Sequence, residues 1–164
     1  MNKDVLKKPE LLAPAGDWPA LFACLENGAD AVYFGVRGMN MRRLASNFEL
    51  NEIPKVISTL HGKGLKGYVT LNTVMLQQDL LTAEKIVRAS QEAGVDALIV
   101  WDMAVVSMAR KIGMPVHIST QASVANMEAV RFFAGQGVKR IVLARECTLE
   151  DIRAIIRQIR EEKL

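Results

Sequence analysis

The chain has 164 residues, of which 50% are hydrophobic and 24% are charged, and its formal net charge is +3. This composition is typical of a globular domain with a sizeable core and excludes an intrinsically disordered chain. The mild positive charge permits an anionic partner without indicating one, since nucleic-acid binders usually concentrate basic residues on one face. No apolar run approaches the roughly 20 residues of a membrane span, and no signal-peptide pattern occurs, so we expect a cytoplasmic protein without a membrane partner.

A short pattern recurs along the chain: a glycine, a connection of a few residues, and then an apolar run of β type. It begins at Gly28, Gly64, Gly94, Gly113 and Gly137. Glycine adopts the left-handed conformation that ends many helices, so each occurrence predicts a helix end followed by a buried strand. The intervals between these glycines fit one strand plus one helix, which is the βα unit of parallel sheets.

The predicted elements follow one another without a linker. The first strand is predicted at residues 10–13, and one more follows each glycine of the pattern. The predicted helices cover residues 17–28, 51–64, 79–94, 102–113 and 126–137, and a sixth begins at 148. Asp17 is a suitable N-cap, Pro54 lies in a first turn, and residues 148–151 fit a capping box. We therefore predict that residues 1–164 form a single domain.

Two strands alternate between polar and apolar residues, which favours a barrel over a doubly wound sheet. The polar positions are Tyr68, Thr70 and Asn72 in the third strand and His117, Ser119 and Gln121 in the fifth. Central strands of doubly wound sheets are continuously apolar, whereas a TIM barrel opens onto its active site at the C-terminal strand ends. We predict an α/β fold of parallel βα repeats, six units of an incomplete TIM-type (β/α)8 barrel and the N-terminal portion of a longer protein. The alternative is an autonomous flavodoxin-like sheet.

Polar residues at the predicted C-terminal strand ends are the candidate catalytic residues, because a barrel displays its chemistry there. They are Asn72, His117, Ser119, Gln121, Arg145 and Glu146. His117 can act as a general base, or it can be a hydrogen-bonded histidine of the lumen. Ser119 lies about 7 Å from His117 along the strand, too far for a preformed nucleophile–base pair. Arg145 and Glu146 can bind and act on an anionic substrate, or they can form a structural ion pair at the rim.

The long connection from Gly35 to Phe48 carries most of the candidate substrate-binding residues, since connections of this length are often functional. The candidates are Tyr33, Arg37, Asn40, Arg42 and Arg43. Arginines at the catalytic end can bind phosphate or carboxylate groups, but a solvated loop would carry such charges as well. After the fourth strand, Trp101 can offer a stacking face for a base, or it can simply be packed ahead of an N-cap at Asp102.

Metal and cofactor sites are not predicted within the chain. Cys24 and Cys147 show no paired metal-ligand spacing, and Cys24 lies among apolar helix positions that are typical of a core thiol. No glycine-rich phosphate-binding motif occurs either.

Four stretches, taken together, resemble the N-terminal region of peptidase family U32, the collagenase-like peptidases. They are ELLAPAGD at 10–17, NGADAVYFG at 27–35, ISTQAS at 118–123 and RIVLARE at 140–146. Each stretch alone is common, and it is their order and spacing that carry the resemblance, which extends over about residues 9–156.

The resemblance implies two kinds of enzyme. Members were named as peptidases, yet several similar proteins act in oxygen-independent hydroxylation of a tRNA uridine, an rRNA cytidine or a ubiquinone precursor. Those hydroxylases resemble one another in a set of cysteines that binds an iron–sulfur cluster and lies after the region seen here. We therefore expect a full-length protein that acts in RNA hydroxylation and holds such a cluster, while the isolated chain is inactive.

Two alternatives to RNA hydroxylation stay open. One is a true peptidase that acts on peptides or collagen-like substrates, and the other is a non-catalytic fragment or binding module. The partners implied are accordingly RNA or a peptide, together with the remaining C-terminal portion of the barrel.

Overall fold

Six β-strands and six α-helices alternate in the computed structural model, which describes residues 8–41 and 46–164. The strands are β1 (Leu12–Ala15), β2 (Ala31–Gly35), β3 (Lys66–Leu71), β4 (Ala97–Val100), β5 (Val116–Ile118) and β6 (Arg140–Ile141). The helices are α1 (Trp18–Glu26), α2 (Ile53–His61), α3 (Leu80–Glu92), α4 (Met103–Lys111), α5 (Met127–Gly135) and α6 (Leu149–Glu162). Short 3-10 helices lie at Leu50–Glu52, Gln77–Asp79 and Thr120–Ala122.

The strands form one parallel sheet in the order β1-β2-β3-β4-β5-β6. This order confirms the sequential arrangement predicted from the repeats and excludes the flavodoxin-like order, in which the first two strands exchange places. Within the described residues β1 and β6 each have a strand on one side alone, so the sheet is open. The architecture is that of six βα units of an incomplete TIM-type barrel.

Local sequence signals explain where the helices begin and end. The Asp17 and Asn126 side chains accept hydrogen bonds from Ala20 N at 2.9 Å and Ala129 N at 3.0 Å, and Thr148 forms a reciprocal capping box with Asp151. The glycines of the repeated pattern all have positive φ, between 72° and 81°, directly after helices. The predicted helix boundaries are therefore confirmed to within a few residues.

The two faces of the sheet differ in their neighbours. The outer face packs against the helices in the main core, to which Phe34, Val69 and Leu98 contribute. The inner face, which lines the lumen, carries a smaller apolar cluster. That cluster consists of Ala31, Tyr68, Ala97 and Ile99, with Tyr33 packed against it. The alternation of β3 between a lumen face and a core face is confirmed.

Two predicted strand boundaries were wrong. The first strand begins at Leu12 and runs through Pro14, because β1 is an edge strand, where a proline removes no ladder hydrogen bond. The fifth strand ends at Ile118, after which the N–H of Ala122 donates to Ser119 O and starts a 3-10 turn. Gln121 consequently lies in that turn with an exposed side chain, rather than on the lumen face.

The sequence predicts no membrane-spanning helix, and the described residues can be searched for one. No helix within residues 8–41 and 46–164 combines the length and the apolar character that a bilayer crossing requires.

Candidate functional site

His117 lies in the lumen, as its position in β5 predicted. Its side chain is buried, and its ring meets the Tyr68 ring edge-on at a centroid distance of 4.8 Å. Burial lowers the pKa of His117 to about 4, and the nearby positive charge of Arg140 acts in the same direction. The imidazole is therefore neutral at pH 7, so one ring nitrogen is free to accept a hydrogen bond or a proton.

Ser119 and Gln121 are brought together, but His117 is not part of that contact. The hydroxyl of the buried Ser119 donates a hydrogen bond to Gln121 Oε1. A serine nucleophile needs its hydroxyl proton directed at a base, and a carboxamide oxygen is not one. Within the described residues, this arrangement lacks the nucleophile–base pair of a serine peptidase.

A charged cluster on the inner face was missed by the sequence reasoning. The carboxylate of Glu10 accepts hydrogen bonds from Arg140 Nη1 at 2.5 Å, Lys66 Nζ at 2.8 Å and Tyr68 OH at 2.9 Å. Burial opposes ionisation of Glu10, yet these three hydrogen bonds outweigh it and lower the pKa to about 2. Glu10 precedes β1 and Lys66 begins β3, so the cluster lies toward the N-terminal strand ends, where barrel residues usually serve stability.

Polar residues of the loop after β2, at positions 36–48, contact other residues of the same loop or its flanks. Asn40, which is 2% exposed, donates from Nδ2 to Val36 O at 2.7 Å and to Asn47 Oδ1 at 3.1 Å. Arg37 forms an exposed ion pair with Glu49 at 3.0 Å. Asn40 thus holds the loop in shape, Arg37 is paired at the loop surface, and Arg42 and Arg43 lie outside the described residues.

A small cavity joins this loop to the ends of the strands. It has a volume of about 30 Å³. Its lining includes Tyr33, Gly35, Asn40, Thr70 and Asn72. The Asn72 carboxamide also accepts a hydrogen bond from Met41 N at 3.2 Å, which ties the loop to the end of β3. Tyr33, Asn40 and Asn72, three of the predicted site residues, therefore share one location.

Arg145 and Glu146 are not brought into this group. Both are exposed and lie in the turn between β6 and α6. Within the described residues no ion pair joins Arg145 to Glu146, and the structural alternative considered for them, an ion pair at the rim, stays a prediction. Their assignment as catalytic residues stays a prediction.

The cysteines do not form the ligand set of an iron–sulfur cluster. Cys24 lies in α1, and its Sγ donates to Pro14 O at 3.5 Å, whereas Cys147 follows β6 and contacts Val124 O at 4.0 Å. Burial raises the pKa of the Cys24 thiol, which opposes the thiolate form that iron requires. The two thiols lie beside opposite edges of the sheet, so these residues do not fit such a cluster.

Comparison with known proteins identifies the family. The sequence matches the family model of peptidase family U32 over residues 16–163. The chain belongs to peptidase family U32. Within the family it is 40% identical over 147 residues to a protein of Porphyromonas gingivalis named collagenase, a match that covers 89% of this chain and 35% of that protein.

Other U32 relatives, which have different names, are about as similar to this chain as the protein named collagenase. The tRNA hydroxylation protein P1 of Bacillus subtilis is 37% identical over 151 residues, covering 91% of this chain and 36% of that protein. The 23S rRNA 5-hydroxycytidine C2501 synthase of Escherichia coli is 39% identical over 149 residues, covering 89% of this chain and 22% of that protein. The family thus includes tRNA and rRNA hydroxylation proteins as well as a protein named collagenase. This chain spans about a third of the length of most of the curated relatives it matches.

A solved structure shares the fold. The U32 peptidase Mk0906 superposes with a TM-score of 0.71 at 17% sequence identity, and the match covers 92% of this chain and 65% of that one. At this identity the likeness establishes the fold alone, and it agrees with the sequential parallel sheet.

Proposed function

We propose that the full-length protein acts in the hydroxylation of RNA, and that this chain supplies the part of its barrel that holds the substrate. The observation that carries the proposal is the similarity to relatives named for RNA hydroxylation, and the hydrogen bond from Ser119 to Gln121 agrees with it because it leaves the serine hydroxyl without a base. His117, the lumen histidine, packs instead against Tyr68. This geometry supports binding in the lumen more than it supports serine-dependent hydrolysis.

The similarity to RNA-modifying relatives supports the same proposal. Proteins named for tRNA hydroxylation in several bacteria are 31% to 38% identical to this chain, and each match covers about nine-tenths of the chain. Such a protein works where tRNA and ribosomes are found, which is the cytoplasm. The iron–sulfur cluster that the family resemblance implies would be ligated by cysteines outside this chain, since Cys24 and Cys147 do not fit one.

The second candidate function is that of a peptidase, and one observation favours it. The protein of Porphyromonas gingivalis named collagenase is 40% identical to this chain. In that case the neutral imidazole of His117 would have to activate water or a nucleophile supplied by another segment. A binding module without catalysis is the third candidate.

Gene deletion in the host distinguishes these candidates. Hydroxylated nucleosides are measured by mass spectrometry in tRNA and rRNA, and gelatin turnover is measured in the same cells. We expect a hydroxylated nucleoside to disappear, to return with the wild-type gene, and to return equally with Ser119→Ala. Intact RNA hydroxylation together with a loss of gelatin turnover would establish the peptidase instead, and no change in either would favour the binding module.

A further inference from the structure

The indole N–H of Trp101 is a buried hydrogen-bond donor without a partner among the described residues. Trp101 directly follows β4, at the C-terminal end of that strand. Buried indole N–H groups usually have an acceptor, because burial removes the hydrogen bond to water that they would otherwise make. The other tryptophan follows this rule, since Trp18 Nε1 donates to Glu52 Oε1 at 2.8 Å. The donor at Trp101 is therefore available to an acceptor from outside the described residues.

Strand register places Trp101 beside Asn72. Leu71 and Val100 form the last pair of β3 and β4, and the same register continued by one residue would bring Asn72 and Trp101 side by side. Trp101 lies two residues after Ile99, which belongs to the inner-face cluster, and it is not a member of the sheet–helix core. Both residues thus stand on the lumen side of the strand ends.

Asn72 offers a second donor at this location. Its Oδ1 accepts the hydrogen bond from the Met41 N–H, which fixes the orientation of the carboxamide. The Nδ2 group must then be directed away from Met41, and within the described residues it donates to no other group. Asn72 also lines the 30 Å³ cavity, which has room for little more than a water-sized group.

We infer that Trp101 Nε1 and Asn72 Nδ2 together donate hydrogen bonds to an sp² oxygen of a ligand bound at the C-terminal ends of β3 and β4. Both donors are neutral, so the site accepts the carbonyl oxygen of a nucleobase or the oxygen of a carboxylate. The indole ring adds a flat apolar surface that suits a planar molecule. Because the adjoining cavity is small, the oxygen enters between the two side chains while the body of the ligand lies in the open lumen.

The two tryptophans make this inference directly measurable. In ¹⁵N–¹H spectra of the 164-residue chain, each indole gives one cross-peak, and Trp18→Phe assigns them. The chain is titrated separately with uridine, which presents base carbonyls, and with benzoate, which presents a carboxylate. We expect the Trp101 indole peak to move downfield to saturation with at least one probe, while the Trp18 peak, already hydrogen-bonded to Glu52, stays in place.

Variants separate the hydrogen bonds from the fold. Trp101→Phe keeps a ring and removes the N–H, and Asn72→Asp keeps the acceptor for Met41 and removes the NH₂ donors. Each should weaken the saturable binding, followed at backbone amides of β3 and β4, by about tenfold, the factor that one hydrogen bond contributes. Trp18→Phe is the matched control and should leave the affinity unchanged. A dispersed backbone spectrum of Asn72→Asp shows that its fold is retained even if Trp101→Phe unfolds.

The other outcomes of the titrations either assign the ligand group or overturn the inference. Saturation with uridine alone assigns a nucleobase carbonyl, and saturation with benzoate alone assigns a carboxylate. The inference is overturned if neither probe moves the peak, or if folded Asn72→Asp binds as tightly as the wild type. It is also overturned if the Trp101 indole peak of the free protein already lies as far downfield as that of the hydrogen-bonded Trp18, since an acceptor is then already in place. None of these readouts uses RNA or catalysis, so they test the inference independently of the proposed function.

Discussion

Glu10 and Arg140 are joined by a hydrogen-bonded ion pair of 2.5 Å although 130 residues separate them in the sequence. Glu10 precedes the first strand and Arg140 begins the sixth, so the pair connects the two open edges of the sheet across its inner face. Lys66 and Tyr68 from β3 bind the same carboxylate. The contact thereby links residues at the first, third and sixth strands to one another.

Replacing Glu10 with glutamine should lower the free energy of unfolding at pH 7 by about 1–3 kcal/mol, because Lys66 and Arg140 lose their counter-charge. Both cations are partly exposed, which favours the lower half of that range. Urea denaturation measures the change. Glu84→Gln, which breaks an exposed ion pair with Arg88 inside α3, is the matched control and should change stability by less than about 0.5 kcal/mol.

Acid should abolish the difference in the free energy of unfolding between the wild type and Glu10→Gln. The pKa of Glu10 is lowered from 4.5 to about 2 in the folded protein, so the unfolded chain takes up the proton first as the pH falls. The stabilisation is thus fully present above pH 4.5 and is lost between there and pH 2. Urea curves of both proteins at pH 6, 4 and 2.5 test this. If the difference in the free energy of unfolding stays constant over that range, the charge of Glu10 is not what stabilises the fold.

His117 should give a separate pH dependence at a higher pH. The pKa of its imidazole is lowered from 6.5 to about 4 on folding, so the unfolded state binds the proton first, and stability falls as the pH drops from 6.5 to 4. The charged groups near the ring are Glu10, Lys66 and Arg140. His117→Gln should remove up to about 3 kcal/mol of this pH dependence.

The other histidine provides the control for that measurement. His61 lies in α2 and binds Asp96 at 3.0 Å, and neither is among the charged groups near the His117 ring, so His61→Gln should leave the contribution of His117 in place. If His61→Gln flattens the pH dependence and His117→Gln does not, the buried imidazole is not its source.

Most of the fold was accessible from sequence because its signals are local. N-caps such as Asp17 and the glycines that end the helices act within one helical turn, and the alternation in β3 separates lumen from core. The start of β1 was misplaced because Pro14 appeared to end a strand, whereas in the described sheet β1 pairs with β2 alone and tolerates the proline. That position is a property of the whole sheet, which local patterns do not contain.

The candidate site was less accessible, since its contacts join distant residues. Nothing near Glu10 in the sequence points to Arg140, and the closure of the loop by Asn40 and Asn47 depends on how the loop returns to β2. The sequence did identify Asn72 and His117, because both follow from strand alternation. It could not show that the Trp101 N–H is left without an acceptor, since burial and pairing are features of the folded chain.

The ion pair between Arg37 and Glu49 should contribute little to stability. Their side chains are 65% and 53% exposed, so water and salt screen the attraction. A double-mutant cycle of Arg37→Ala and Glu49→Ala in urea should give a coupling free energy below about 1 kcal/mol. As a predicted substrate-binding residue, Arg37 would then lose little by exchanging Glu49 for an anionic group. A coupling above about 2 kcal/mol would instead make the pair part of the loop's framework.

Gly35→Ala should destabilise the loop after β2. A methyl group on Gly35 would collide with the Asn40 carboxamide and come within 2.8 Å of Asn47 Oδ1. Asn40 is almost fully buried, so its side chain cannot simply turn out to solvent without breaking its hydrogen bonds to Val36 and Asn47. Overpacking of this kind costs about 1–3 kcal/mol, which urea denaturation would show.

Gly135→Ala is the matched control for Gly35→Ala. A methyl group there meets no atom within 4 Å, and the residue ends α5 without a positive φ. The same substitution should therefore raise stability by about 0.4–1 kcal/mol, since alanine has less freedom in the unfolded chain. The Asn72 cross-peaks in ¹⁵N–¹H spectra should shift in Gly35→Ala and stay in place in Gly135→Ala, because Met41 links the loop to Asn72. Equal stability of the two variants would show that the loop yields to the added methyl group, and the hydrogen bonds of Asn40 to Val36 and Asn47 would then not be what keeps the loop in shape.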